Sequence, residues 1–351
     1  MVDAESLPPA QVGPAAWLSC EMQHRDDWVI YLTPAHVAEL EAAAAPLAVE
    51  ELAELEPSRF PLPTLGPILA AMREELLRGR GFSLVRGLPV DRYSPEQYSA
   101  IFMGLGAHLG HARSQNAKGH VLGHVCDLGL SSADPAVRIY QTSERQTFHT
   151  DSCDVVGLLC LREAKCGGDS LLVSAMTIFN IMRRKYPELL ARLLQPMPHD
   201  RRGEIPAGEK PYFEIPVFSW HDRRITVFYQ RQYFDSAQRF ADARRLTRED
   251  VAALDKLDDL ANDLNLCLLM RLAPGDMQFV YNHTMLHDRT SFEDHAEPER
   301  RRHLLRLWLA CDGDRTLPAA FAARYGSVEV GDRGGIVVPG TTRRVVPLTP
   351  A

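Results

Sequence analysis

The chain has 351 residues, a formal net charge of −7, 45% hydrophobic and 24% charged residues, a composition that excludes a disordered or fibrous protein. The acidic balance, with no basic stripe, argues against nucleic acid and anionic membrane as partners. Seven cysteines, an odd number with no CxxC pair, argue for a reducing compartment rather than a disulfide framework or a zinc ribbon. The opening MVDAESLPPAQVG lacks the cationic start and apolar core of a signal peptide, and no apolar run is long enough to span a bilayer. The expected setting is the cytoplasm, with a small-molecule substrate as partner and a homo-oligomer left open.

Residues 1–75 read as a helical extension. AELEAAAAPLAVEELAEL is rich in helix formers and is interrupted at Pro46, which cannot continue the hydrogen-bond ladder. Pro67 suits the first turn of a second helix, ILAAMREELLRG. Residues 76–351 read as the main domain. GFSLVRGL is a strand, and Ser94, Pro95 and Gln97 form a capping box that opens PEQYSAIFMGLG. Then the texture changes to short β-branched and aromatic runs separated by Gly, Pro and Asp: VRIYQT, QTFHTD, VVGLLCL, SLLVS, YFEIPVF, RITVFYQ, MQFVYN and HLLRLWLA. Helices near 175–195 and 247–264, the second capped by Thr247, interrupt the series. The pattern predicts a mainly β sandwich or barrel with helices, not alternating βαβ units.

Three H-x-D/E triplets occur: His24-Arg25-Asp26, His149-Thr150-Asp151 and His295-Ala296-Glu297. Chance alone supplies roughly one or two in a chain of this composition. Only the middle one sits in strand-like sequence, where positions i and i+2 face the same way and could meet one metal ion. A 2-His-1-carboxylate site for non-haem iron needs a second histidine, and PGDMQFVYNHTMLHDRTSF offers His283 and His287. On a helix these two would have a zinc-type i, i+4 spacing; the preceding strand pattern argues against that. In RRHLLRLWL, alternation places Arg302, Leu304, Arg306 and Trp308 on one face. A guanidinium buried there needs an anionic partner, either a protein carboxylate or a ligand.

FHTD, GGDS, LHDRTSF and RRHLLRLWL, in this order over roughly residues 80–312, resemble the taurine/2,4-dichlorophenoxyacetate dioxygenase-like family of Fe(II)- and 2-oxoglutarate-dependent oxygenases. The resemblance implies a double-stranded β-helix, or jelly roll, with iron inside one open end, and it requires Fe(II), 2-oxoglutarate and O₂. It implies His149, Asp151 and His287 as iron ligands, with His287 chosen by the Asp288-Arg289-Thr290 that follows. It further implies Arg302 on the distal carboxylate of 2-oxoglutarate, Ser170 as a hydroxyl beside it, and Arg306 as a second arginine. The carboxylate at Asp151 favours oxygenation over halogenation. The sulfonate-binding residues of taurine dioxygenases have no clean counterpart. Asp154 and Asp169 read as loop or supporting acids, Cys153, Cys160 and Cys166 as buried small hydrophobes, and Gly167-Gly168 as a turn. Tyr140, Gln141, Asn116, Arg231 and the tryptophans are candidates for a substrate wall. A zinc hydrolase on the same His/Asp/His set leaves Arg302 unexplained; a non-catalytic jelly-roll module is the reading from a different class.

Overall fold

A computed structural model describes residues 6–131, 137–338, 340 and 343–350; residues 1–5, part of the stretch read for a signal peptide and of the helical extension, lie outside it. Two sheets face each other. The larger, seven-stranded, runs in the order Val29–Tyr31, Phe82–Arg86, Met277–Tyr281, Val155–Arg162, His303–Ala310, His111–Ala112, with Leu122–Val125 also pairing to His303–Ala310. The smaller has four strands in the order Cys267–Met270, Ser170–Ser174, Met285–Arg289, Gln146–His149. Phe82, Val156, Leu172, Leu268, Met285 and Trp308 are among the residues that fill the space between them. This is the expected jelly-roll core.

Helices cover both outer faces, which explains why strands such as His303–Ala310 are buried along their whole length. Pro34–Ala44, Gly66–Leu77 and Pro95–Ala107 pack with Leu305, Leu307 and Leu309 on the larger sheet, and Ala175–Lys185, Pro187–Leu193 and Arg248–Ala261 pack with Leu171 and Val173 on the smaller. The Ser94 hydroxyl accepts from the Gln97 N–H and the Gln97 side chain accepts from the Ser94 N–H, so the expected capping box forms. Thr247 caps its helix as expected, through the Asp250 N–H. Gly157 sits where the sheet meets its helices: a Cβ there would lie 2.8 Å from the Phe279 ring.

Several expectations need correction. The 137–142 run is not a strand: Ile139–Gln141 is a 3₁₀ turn, because the Gln141 side chain accepts from the Arg138 N–H and the Thr142 N–H returns to the Ile139 carbonyl, which leaves no ladder to join. YFEIPVF splits into Tyr212–Pro216, paired with Pro196–Asp200, and Phe218–His221, paired with Arg224–Val227, the break following a proline that has no N–H to offer. Cys166 is exposed, since it lies on the short edge pair with Phe292–Glu293. Cys153 and Cys160 are buried as expected. The amino-terminal segment is not purely helical, because Val29–Tyr31 adds a parallel edge to the larger sheet.

Candidate metal centre and cosubstrate cavity

His149 ends the strand Gln146–His149 and is paired in register with His287 on Met285–Arg289. The pairing brings the two rings to 4.1 Å between centroids. Asp151 lies two residues past the strand end, so its position does not come from strand alternation. Its backbone N–H donates to Asn282 Oδ1 at 2.9 Å, and its Oδ2 accepts from the Trp308 indole N–H at 3.0 Å. Asp151 Oδ2 is 3.7 Å from His287 Nε2. One donor atom from each of His149, Asp151 and His287 lies within 4.8 Å of the others, and all three residues are buried.

The tautomers suit a cation. His149 Nδ1–H donates to the Thr147 carbonyl at 2.9 Å, which leaves the lone pair on Nε2, where only the Gln146 amide reaches it, at 2.8 Å. His287 Nδ1 is buried without a partner. Burial, and then the neighbouring His287, push the His149 imidazole down to about 3, so it is neutral at physiological pH. Burial alone would raise the Asp151 carboxyl; Arg306, then His287 and His149, overcome that and hold it below the usual carboxylate range. Two imidazoles, that of His149 neutral, and one ionised carboxylate are a donor set for a divalent transition metal, and three protein donors leave coordination positions open.

A cavity reaches this set, bordered also by Ser170, Arg289, Arg302 and Leu304. Arg302 has only weak protein contacts there. One Nη donates to the Gly168 carbonyl at 3.3 Å, the other is buried with no partner, and the guanidinium lies 5.1 Å from the Phe292 ring centre. Gly168, with φ +76°, makes room: a Cβ would stand 2.7 Å from Arg302 Nε. Arg289, opposite Ser170 in the ladder, also lacks a carboxylate partner among the described residues and donates to the Thr142 and Glu144 carbonyls. Burial pushes Arg302 down to about 10; burial and then Arg302 push Arg289 down to about 9. Two adjacent guanidiniums without a counter-ion make an anion site. The Ser170 hydroxyl, at the same wall, donates to Gln278 Oε1 at 3.0 Å.

Arg306 is placed differently. Its Nε donates to Gln115 Oε1 at 2.8 Å, an Nη lies 3.6 Å from Asp151 Oδ1, and the guanidinium sits between the Tyr140 and Trp308 rings. Of the other sequence candidates, Tyr140 and Trp308 line a second cavity beside Asp151. Gln141 is spent on its turn, Asn116 on a turn with His120, and Arg231 on Asp235, Asp255 and Asp258. His283 does not join the triad: residues 282–284 form a turn, and its Nε2–H donates to Asp154 at 2.8 Å. Asn282 and Gln115 carry no local sequence signal as site residues, and Arg289 carries one only as part of the Asp-Arg-Thr run.

The model of the taurine catabolism dioxygenase TauD, TfdA family matches residues 47–308. FR-33289 synthase of Streptomyces rubellomurinus is 30% identical over 92% of this chain and 97% of its own length. The taurine hydroxylase-like protein SAT17 of Stachybotrys chartarum is 30% identical over 83% of this chain and 77% of its own. A uridine-5′-phosphate dioxygenase from an Amycolatopsis species is 31% identical over 49% of this chain and 63% of its own. Among solved structures, asparagine oxygenase with Fe(II), hydroxyasparagine and succinate superposes with a TM-score of 0.61 at 18% identity, covering 80% of this chain and 93% of that one. The oxygenase OrfP with iron and α-ketoglutaric acid gives 0.58 at 17%, covering 80% and 93%; at these identities the likeness speaks for the fold. The chain belongs to the taurine catabolism dioxygenase TauD, TfdA family and is an Fe(II)- and 2-oxoglutarate-dependent dioxygenase acting on a small organic molecule.

Proposed function

We propose that His149, Asp151 and His287 hold the iron, that Arg302 with the Ser170 hydroxyl anchors the distal carboxylate of 2-oxoglutarate, and that Arg306 chiefly fixes Asp151. The observation that carries this reading is that Arg302, a buried guanidinium without a carboxylate, faces the same cavity as the open-donor triad. Bound iron supplies the site at which O₂ and 2-oxoglutarate react, giving succinate and CO₂ while the substrate is hydroxylated. The protein's own share is orientation and shielding. Thr147 fixes the His149 tautomer, Asn282 and Trp308 fix the Asp151 carboxylate, and Leu304, Val156 and Leu158 line a largely apolar wall that limits water. Ser170 must turn its hydroxyl from Gln278 to serve the cosubstrate, a rotation that breaks one neutral hydrogen bond and forms one to an anion.

The relatives' names span uridine-5′-phosphate and taurine-type chemistry, so family membership leaves the prime substrate open. The cytoplasmic reading rests on the sequence, whose seven cysteines are odd in number and include no CxxC pair. Among the described residues no helix is long and apolar enough to cross a membrane. Anaerobic addition of Fe(II) and 2-oxoglutarate should give the visible charge-transfer band of a chelated 2-oxo acid, and air should then yield succinate only with both present. Stoichiometric zinc binding without 2-oxoglutarate binding would favour a hydrolase instead.

A further inference from the structure

The second cavity shares Tyr140, Gln146, Asp151 and Arg306 with the cosubstrate cavity, so a molecule seated in it lies against the Asp151 corner of the triad. Its wall is strongly basic. Arg138, Arg202, Arg306 and Arg324 line it, and Asp151 is the one acid among the lining residues.

Two of the four guanidiniums are answered by protein. Arg306 lies 3.6 Å from Asp151, and Arg138 lies 2.5 Å from Glu204 while also donating to the Tyr233 hydroxyl. Among the described residues the other two have no carboxylate of their own. Arg324 Nε donates to the neutral Ser152 hydroxyl at 2.7 Å, and its nearest carboxylate, the Glu204 already engaged by Arg138, is 3.8 Å away. Arg202 donates through one Nη to the Val137 carbonyl at 3.2 Å, and its Nε is buried without a partner. Arg202 also holds a left-handed backbone, φ +54°, between the Asp200 carboxylate that accepts its N–H and Gly203. A side chain other than glycine adopts that conformation at an energetic cost, and such costs cluster where a side chain must be aimed. Val137, Ile139 and Phe228 complete the wall with apolar surface.

Two unanswered guanidiniums exceed what one carboxylate can neutralise and match one doubly charged oxyanion, whose several oxygens can accept from both forks. We propose, resting on the assignment of this centre as the iron site, that the prime substrate carries a phosphonate or phosphate monoester group held by Arg202 and Arg324, with its reacting carbon toward Asp151 and the histidines.

Calorimetric titration of the full-length protein, anaerobic with Fe(II) and 2-oxoglutarate, tests this with phenylphosphonate, phenyl phosphate, benzoate and benzamide as probes. Both phosphorus dianions should bind at least about tenfold more tightly than benzoate, and benzamide should be weakest, because each forfeited charge-assisted contact costs about tenfold. The better of the two dianions identifies the linkage. Arg202→Gln should weaken dianion binding about tenfold or more, and Arg202→Lys should restore part of it. The 2-oxoglutarate affinity, measured on the same samples, should not move. Equal binding of benzoate and phenylphosphonate, or an Arg202→Gln protein that binds phenylphosphonate as wild type does, overturns the proposal. Arg202 lies at a partly exposed turn, so its variants can be scored even if the buried Arg324→Gln fails to fold. Failure of 2-oxoglutarate to bind, with the dianion preference intact on the same protein, would instead count against the iron-site reading.

Discussion

Two buried clusters of histidine and carboxylate share two stretches of sequence, Asp151 with Asp154 and His283 with His287, and they have opposite fates. His149, Asp151 and His287 form one; Asp154, His283 and Asp314 form the other, with ligand-type atoms equally close together. In the second, the fully buried Arg333 donates to Asp154 and to Asp314, each at 2.8 Å, while His283 Nε2–H and the Cys311 N–H complete Asp154 and the Tyr281 hydroxyl completes Asp314. Its carboxylates are saturated by the chain itself. In the first, Arg306 pairs with Asp151 only from 3.6 Å and the set opens on cavities, while a partnerless imidazole Nδ1 is common to both clusters, on His287 and on His283. Donor type therefore does not make a metal centre. What distinguishes the two is whether the protein has already spent the lone pairs and charge, and that is decided by one arginine.

The largest effects should come from removing Arg333, which closes one cluster, and Arg302, which borders the cavity at the other. Arg333→Met strands two buried carboxylates and should lower stability by about 3–5 kcal/mol, visible in urea unfolding, without changing iron stoichiometry in the folded fraction. Arg302→Met should do the converse, costing little in the unliganded fold but raising the 2-oxoglutarate dissociation constant at least about a hundredfold, the equivalent of about 3–5 kcal/mol. Ser170→Ala is its control, at about 0.5–1.5 kcal/mol. If Arg306→Met rather than Arg302→Met abolishes cosubstrate binding, the division of labour between the two arginines is reversed. Trp308→Phe keeps the ring but deletes the donor to Asp151, and should weaken iron binding by about 10–100-fold, read by competition with a chelator.

The smallest effect concerns protons. His199 touches neither cluster; it stacks on Phe213 and is pushed down to about 3 by burial. Its unfolded value is near 6.5, so below that pH the unfolded chain takes a proton that the folded one refuses, and stability falls with falling pH. The loss approaches about 1.4 kcal/mol per pH unit for one such group. Against the wild type, His199→Phe should show a shallower acid limb by about one proton, measured as unfolding free energy against pH. An unchanged slope would mean that His199 is protonated in the fold.

Local signals were legible in the sequence and long-range ones were not. The Ser94 and Thr247 caps depend on residues three apart, and His303–Ala310 announces itself by being apolar on both faces. Ile139–Gln141 misled because β-branched and aromatic residues favour a strand only when a neighbour is there to pair. The histidine and arginine positions followed from motif order, yet the stated reason for Asp151 was incomplete: strand alternation ends at His149, and Asn282 and Trp308, distant in sequence, set the carboxylate. The basic cavity was invisible for the same reason, since Arg138, Arg202 and Arg324 share no local pattern and meet only in the fold.

The claim that saturation separates the two clusters is tested most directly by anaerobic Fe(II) titration of His287→Ala and His283→Ala beside the wild type, with folding verified by circular dichroism. The account predicts one iron and a 2-oxoglutarate charge-transfer band for the wild type, both kept in His283→Ala and both lost in His287→Ala. Iron retained by His287→Ala and lost from a folded His283→Ala would contradict it and move the metal to the cluster around Asp154.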